Sequence, residues 1–282
     1  MERFALLGWP VKHSLSPPMQ EAGLRALGID ATYELIEVPP DALQACIDTL
    51  RKEGYRGWNV TIPHKENVAR LLLDIDTEAR AAQSVNTVLN RNGTLSGYST
   101  DGYGLATAIA EAFSMRLADK HILFLGAGGA ARAVAIYFSR HGTRAITIAN
   151  RTLANARELV DCLTRVSPNC LSQAVALHDE DAMREQLDQA DIVIQATSLG
   201  LHRDDPAPID PGLIRKGCPV IDMIYRTTRL LEGAAKNGCP TADGRGMLLH
   251  QGARSLQIWT NSPAPVSAMR HALDLAMAQR SQ

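Results

Sequence analysis

The sequence predicts an α/β protein of two domains. Strand-like apolar runs alternate with segments of helical spacing along most of the chain, the pattern of a mostly parallel sheet covered by helices. The chain has 282 residues, long for one hydrophobic core and comfortable for two. At mid-chain the apolar run Ile122-Leu123-Phe124-Leu125 leads into Gly126-Ala127-Gly128-Gly129-Ala130-Ala131 and then a helical pattern, the arrangement of a Rossmann-type unit.

The first domain reads element by element. Phe4-Ala5-Leu6-Leu7-Gly8 is a strand, followed by a polar loop with Pro10 and Pro17 and a helix over about 18–27 that stops at Gly28. A second strand covers 32–38, and Pro39-Pro40 forbids its continuation. Asp41 is placed to cap a helix running to about Glu53-Gly54. Trp58-Asn59-Val60-Thr61 is the third strand, with Pro63 and a helix over 66–73 behind it. Residues 86–100 read as a hairpin turning at Asn92-Gly93, and a helix over about 103–113 leads into the second domain.

That second domain has strands expected at 122–125, 145–149, 172–177, 191–196 and 219–224. The helix after the glycine turn, 130–140, places Ala133, Val134, Tyr137 and Phe138 on one face and ends at His141-Gly142. In such a site the first glycine makes the tight turn, the second lets the backbone approach a pyrophosphate, and the third position, Ala131, needs a small side chain. The helix N-terminus then presents amides to phosphate oxygens. About twenty residues on, the next strand ends in Asn150-Arg151-Thr152 where an NAD site carries an acid. An uncharged amide beside a guanidinium suits a 2′-phosphate, so the chemistry prefers NADP.

The part after about Met247 carries two helical patterns broken near Pro263 and Pro265, with no strand candidate. These helices are expected to pack back on the first domain, giving domains at 1–102, 103–246 and 247–282. With no low-complexity linker between them, a structured hinge is implied.

Composition narrows the function. The formal net charge is −1 and the isoelectric point about 6.7, and no basic stripe is present, which argues against nucleic-acid and membrane-surface partners. No run reaches the ~18 apolar residues of a membrane span, and the first residues enter a strand pattern without a signal-peptide segment. The five scattered cysteines read as reduced cytoplasmic thiols, and neither they nor the eight histidines fall at metal-ligand spacing, so no metal is expected. Catalysis is left to side chains and an organic cofactor.

Four polar clusters sit at strand ends of the first domain, where an open α/β sheet places its ligand. In His13-Ser14-Leu15-Ser16-Pro17 the paired hydroxyls can face one carboxylate, although serine-rich turns before proline are routine. In Asn59-Val60-Thr61-Ile62-Pro63-His64-Lys65, strand alternation puts Asn59 and Thr61 on one face, and Lys65 falls at a strand-to-helix junction. A cation is unfavourable near a helix N-terminus, so Lys65 asks for a reason. Ser84-Val85-Asn86-Thr87 and Ser99-Thr100-Asp101-Gly102 complete the set, with Asp101 either a helix cap or an acid–base partner for Lys65.

Together with Gly8-Trp9-Pro10-Val11-Lys12 ahead of the serines, Val85-Asn86-Thr87, Ala196-Thr197-Ser198-x-Gly200, Asp243-Gly244-x-Gly246-Met247-Leu248 and Gln251-Gly252, these motifs resemble the shikimate dehydrogenase family in order and spacing over essentially the whole chain. The resemblance implies a reversible NADP-linked interconversion of 3-dehydroshikimate and shikimate, the reductive step toward chorismate and aromatic amino acids. It implies Lys65 and Asp101 as the catalytic pair, Ser14 and Ser16 on the substrate carboxylate, and Thr61, Asn86 and Gln251 on ring hydroxyls, with Tyr225 contributing from the nucleotide domain. Gly126, Ala127, Gly128, Gly129 and Ala130 would line the pyrophosphate, and Asn150, Arg151 and Thr152 the 2′-phosphoadenosine. Met223 and Gly246 would lie near the nicotinamide. The chain departs from the family pattern at Ser99, Trp58 and Ser84. A quinate/shikimate dehydrogenase is the enzymatic alternative, and an NADP-sensing module without turnover is the alternative of another class. Monomer and homodimer both fit.

Overall fold

The computed structural model describes residues 1–280, and these divide into two compact units, 1–104 with 248–280 and 105–247. Both divisions fall inside helices, α5 (Asp101–Phe113) and α10 (Arg245–Thr260).

Unit 1 is built on a six-stranded sheet of order β2-β1-β3-β5-β6-β4. Its strands are β1 (Glu2–Gly8), β2 (Ala31–Glu37), β3 (Gly57–Val60), β4 (Asp74–Ile75), β5 (Thr87–Arg91) and β6 (Thr94–Tyr98). β1 runs parallel to β2 and β3, and the β5–β6 hairpin joins antiparallel to β3, turning at Asn92-Gly93 as the sequence predicts. On one face Phe4, Leu6 and Leu89 pack with α1 (Ser16–Ala26), α10 and α11 (Val266–Arg280) around Trp259. On the other, Ala5, Leu7, Trp58 and Val60 pack against α2 (Leu43–Lys52), α3 (Lys65–Leu71) and α4 (Thr77–Ala82). Trp58, one of the departures from the family pattern, is fully buried there and serves the core.

Gly57 is fixed by packing. A Cβ on it would lie 2.3 Å from Trp259 Nε1 and 2.8 Å from the Val88 carbonyl, which accepts the indole N–H at 2.9 Å. The last turn of α10 is keyed to the sheet through that contact. One expectation fails: Asp41 lies inside a 3-10 turn, Pro40–Ala42, and α2 starts from Ala42 without a side-chain cap. The Pro39-Pro40 pair sets that turn, so the helix begins two residues after the aspartate.

Unit 2 is an all-parallel sheet of order β12-β11-β10-β7-β8-β9, the open Rossmann-type arrangement. Its strands are β7 (His121–Leu125), β8 (Ala145–Asn150), β9 (Leu171–Ala176), β10 (Ile192–Gln195), β11 (Val220–Asp222) and β12 (Thr241–Ala242). The connecting helices are α6 (Gly129–Arg140), α7 (Leu153–Val166), α8 (Glu180–Gln189) and α9 (Arg229–Lys236). Every residue of β7, β10 and β11 is buried, as both faces of a helix-covered parallel sheet require. No helix among the described residues is long and apolar enough to cross a membrane.

Candidate active site

In unit 1 the ends of β1, β3 and β6 and the starts of β5, α1, α3 and α5 gather the polar clusters. Lys65 is the first residue of α3, and its Nζ meets Asp101 Oδ2 at 2.6 Å. The aspartate side chain is 6% exposed and the lysine 22%, so the pair is largely withdrawn from water, the aspartate more completely than the lysine. Asp101 opens α5, and its other oxygen accepts from Asn86 Nδ2 at 2.9 Å. Both carboxylate oxygens are engaged by side-chain donors, one of them the lysine. The carboxylate also supplies the reason for a cation at a helix start, since it offsets the unfavourable helix dipole.

Asn86 is buried, and its orientation follows from its partners. The Thr100 N–H, which can only donate, reaches Oδ1 at 2.8 Å, so Nδ2 must face Asp101. Gln251 on α10 places Oε1 3.5 Å from the same Nδ2. Thr61, just past β3, donates its N–H to the Leu7 carbonyl at 2.8 Å and accepts the His64 N–H at its own carbonyl at 2.9 Å. Its methyl presses on Gly8, where a Cβ would come within 2.4 Å.

The serine cluster is held in a tight turn. Ser14 Oγ accepts the Ser16 N–H at 3.1 Å, and Arg280 at the end of α11 donates to the Ser14 carbonyl at 3.1 Å and the His13 carbonyl at 2.6 Å. Ser16 is buried at the first position of α1, and Tyr33 is buried on β2. Tyr33 donates to Asn59 Oδ1 at 2.8 Å, and burial raises its pKa far above the ordinary phenol. Asn59 Nδ2 donates to the Asn86 carbonyl at 3.1 Å. A continuous hydrogen-bonded path therefore runs from Tyr33 to the Lys65–Asp101 pair. Around it, Tyr33 and Ser255 escaped sequence reasoning, and Thr87 and Thr100 were read only as members of their polar clusters, although Asn59, which meets Tyr33, Thr87 and Ser255, shares the strand face of Thr61 and Ser255 lies one helical turn after Gln251.

In unit 2 the glycine turn carries the strain that position requires. Gly126 has φ +112°, and a Cβ there would fall 2.9 Å from the Ala196 backbone. Gly128 is the extended N-cap of the twelve-residue α6 with no side-chain cap, and a Cβ at Gly128 would meet nothing within 4 Å. Ala127 is half-buried and Gly129 and Ala130 are exposed, while Ala131 is fully buried, as helix-on-strand packing demands. Asn150 ends β8 and donates to the Thr152 carbonyl at 2.9 Å. Thr152 starts α7 without a side-chain cap, and Arg151 is exposed. The uncapped α6 start fits a pyrophosphate, and the polar turn with its guanidinium fits a phosphorylated ribose.

Met223 and Tyr225 belong to the turn after β11. Asp222, fully buried, accepts from the Ile224 N–H at 2.9 Å and the Thr228 hydroxyl at 2.7 Å, which closes that turn. Burial pushes its carboxyl up to about 6, outweighing those bonds, and Asp243 adds to the rise. Gly244 lies against the same turn, where a Cβ would come 2.2 Å from the Met223 carbonyl. Gly246 is half-buried in the first turn of α10 beside Ala108, and Tyr225 is 41% exposed.

An open parallel sheet with a glycine turn and no acid at the next strand end, in a chain that also buries a lysine–aspartate pair, defines a dinucleotide-dependent dehydrogenase. Comparison with known proteins narrows the class. The chain belongs to the shikimate dehydrogenase family. Family models match for the shikimate dehydrogenase substrate binding domain at residues 6–88, shikimate/quinate 5-dehydrogenase at 106–203 and the shikimate 5′-dehydrogenase C-terminal domain at 244–273. It is 41% identical to the shikimate dehydrogenase (NADP(+)) of Symbiobacterium thermophilum, over 95% of this chain and 92% of the relative. Among solved structures it resembles shikimate 5-dehydrogenase from Listeria monocytogenes in complex with shikimate and NAD (TM-score 0.91, 34% identity, 97% of this chain and 96% of that one). It also resembles the shikimate 5-dehydrogenase of Thermus thermophilus in complex with NADP(H) and shikimate (TM-score 0.86, 34% identity, 98% and 100%).

Proposed function

We propose that this chain catalyses the reversible NADP(H)-dependent reduction of 3-dehydroshikimate to shikimate. The observation that carries the reading is the Lys65–Asp101 contact at 2.6 Å, with Asn86 on the far carboxylate oxygen. A ketone that receives a hydride becomes an alkoxide and needs a proton at the moment of transfer. NADPH, when bound, supplies that hydride. The Lys65 ammonium delivers the proton to the alkoxide oxygen, and the lysine amine takes it back in the oxidative direction. Asp101 keeps the lysine in place through the short contact to its ammonium.

Substrate recognition is assigned to hydroxyls and amides. Ser14 and Ser16 hold the carboxylate, Thr61, Asn86 and Gln251 read the ring alcohols, and Tyr225 contributes its hydroxyl. Buried polar groups discriminate well, because an analogue lacking one alcohol leaves a donor or acceptor unpaired. In unit 2, the amides and small residues of Gly126, Ala127, Gly128, Gly129 and Ala130 hold the pyrophosphate. Asn150, Arg151 and Thr152 hold the 2′-phosphoadenosine, and Met223 and Gly246 border the nicotinamide. The thiols and the substrate suit a cytoplasmic enzyme, working as monomer or homodimer.

Steady-state NADPH formation from shikimate tests this directly, with quinate and NAD as parallel arms. Shikimate with NADP is expected to give the highest kcat/KM. Tight NADP binding without turnover of any cyclic hydroxy acid would overturn the assignment in favour of a sensor, and faster turnover of quinate would move the substrate. Lys65→Ala is expected to lower kcat by about 10²–10⁴-fold while NADP affinity stays within about twofold.

A further inference from the structure

Ser255 is wholly buried on α10, and the catalytic reading gives it no task. Side chains from three elements remote in sequence nevertheless converge on its hydroxyl. Asn59 Nδ2 from β3 donates to it at 3.0 Å, Thr87 Oγ1 from β5 lies 2.7 Å away, and Thr100 Oγ1, beside Asp101, lies 3.4 Å away. The Gln251 carbonyl, one turn back on α10, is 3.0 Å from the same oxygen.

The donors and acceptors leave few choices. Asn59 Nδ2 also donates to the Asn86 carbonyl, which can only accept, and Tyr33 donates to Asn59 Oδ1, so the Asn59 amide cannot be reversed. The second Asn59 amide proton is shared between Ser255 Oγ at 3.0 Å and Thr87 Oγ1 at 3.2 Å. The short Ser255–Thr87 bond can run in either of two directions. In one, Ser255 donates to Thr87, whose own proton goes to Asn86 Oδ1 at 3.2 Å. In the other, Thr87 donates to Ser255, whose proton goes to the Gln251 carbonyl. The first ends on the residue that faces Asp101, and the second on the backbone of the residue whose side chain approaches Asn86. Both pass through Ser255. Such a buried network is rigid when fully satisfied and costly when one member is lost.

We propose that Ser255, together with Thr87, is a positioning residue for the reaction. It keys α10 and Gln251 to Asn86 and so holds the Asn86 amide on the Asp101–Lys65 pair. This rests on the catalytic role given above to Lys65 and Asp101. Neither hydroxyl touches substrate. Each acts through Asn86.

The test uses the full chain with Ser255→Ala and Thr87→Val, which remove one hydroxyl each, and Thr87→Ser, which keeps it. Proton exchange of the Asn86 side-chain amide, followed by NMR and assigned with Asn86→Asp, reports the positioning directly. Both deletions are expected to speed that exchange by about tenfold or more, as a network member is lost. In the assay kcat is expected to fall about three- to tenfold with the NADP KM within about twofold, the split of lost orientation. Thr87→Ser restores both readings, and the double variant loses less than the product of the singles because the two act as a unit. Folded deletion variants with wild-type Asn86 exchange would overturn the proposal, as would a Thr87→Ser variant as impaired as Thr87→Val. Should Ser255→Ala not fold, Thr87→Val against Thr87→Ser decides on the same readings. Absence of turnover in the wild-type chain overturns the proposed activity instead, and amide exchange still decides the positioning.

Discussion

At the scale of single residues, charge placement decides most of what the chain can do. Lys65 begins a helix, a poor place for a cation, and the Asp101 carboxylate at 2.6 Å makes it tenable. These residues stand 36 positions apart, and nothing in their local patterns fixes a contact over that distance. Their pairing was legible through the family resemblance, whereas the bare residues left Asp101 open as a helix cap. Asp222 shows a second kind of charge effect. Its carboxyl is pushed by burial from an ordinary value near 3.8 up to about 6, so the folded state holds its proton more tightly than the unfolded chain. The stability this contributes is complete below about pH 3.8 and is lost as pH rises through about 6, a total on the order of 3 kcal/mol. Asp222→Asn removes the titration. Its melting temperature relative to wild type is therefore expected to rise between pH 4 and pH 7, measured by calorimetry at both ends. A constant difference would mean that Asp222 does not ionise in that window. Arg151 belongs to the same scale. Arg151→Ala is expected to raise the NADP KM by about ten- to a hundredfold while leaving the NAD KM within about twofold, since a lost guanidinium–phosphate contact is worth roughly 1.5–3 kcal/mol.

Among the elements, legibility follows burial and length. The strands β7 and β8 of unit 2 were readable because parallel strands buried on both faces appear as unbroken apolar runs, and the hairpin was readable from Asn92-Gly93. The two-residue β4 and β12 and the six-residue α4 left no periodicity to read. The strand expected over 219–224 ends at Asp222, because its carboxylate turns the chain by binding the Ile224 N–H. Packing of one element on another is also where a single atom matters most. Trp259 packs with its ring centre 5.0 Å from that of Phe4 and drives its indole edge onto Gly57, an arrangement no sequence window reveals because the partners are about two hundred residues apart. Gly57→Ala would set a methyl 2.3 Å from the indole nitrogen and break its bond to the Val88 carbonyl. A loss of about 3 kcal/mol or more is expected by denaturant unfolding, from overpacking together with an orphaned donor. Loss of less than about 1 kcal/mol would mean that α10 shifts freely on the sheet.

For the whole molecule the decisive feature is that unit 1 is discontinuous. The chain leaves it within α5 and returns within α10, and Leu249, Leu256, Trp259, Met269 and Leu273 complete a core begun by Phe4, Leu6 and Leu24. Unit 2 is continuous, with Leu123, Leu125, Val193 and Val220 in a core of its own. Two cores and two ligand classes give a prediction that needs no knowledge of how the units are disposed. A ligand that binds only the native form of a unit stabilises that unit by RT ln(1 + [L]/Kd), about 2.7 kcal/mol at a hundredfold excess over Kd. Hydrogen exchange followed by mass spectrometry can assign the gain. NADP alone is expected to slow exchange chiefly in peptides spanning the 126–140 and 145–166 segments. Shikimate alone is expected to act chiefly on peptides spanning 14–26, 57–71, 86–104 and 248–260, the last lying more than 140 residues beyond the others in sequence yet within the same unit. Protection of the first three segments by shikimate without the fourth would detach Gln251 and Ser255 from the site, and protection of the 126–140 segment by shikimate alone would contradict the division of labour between the units.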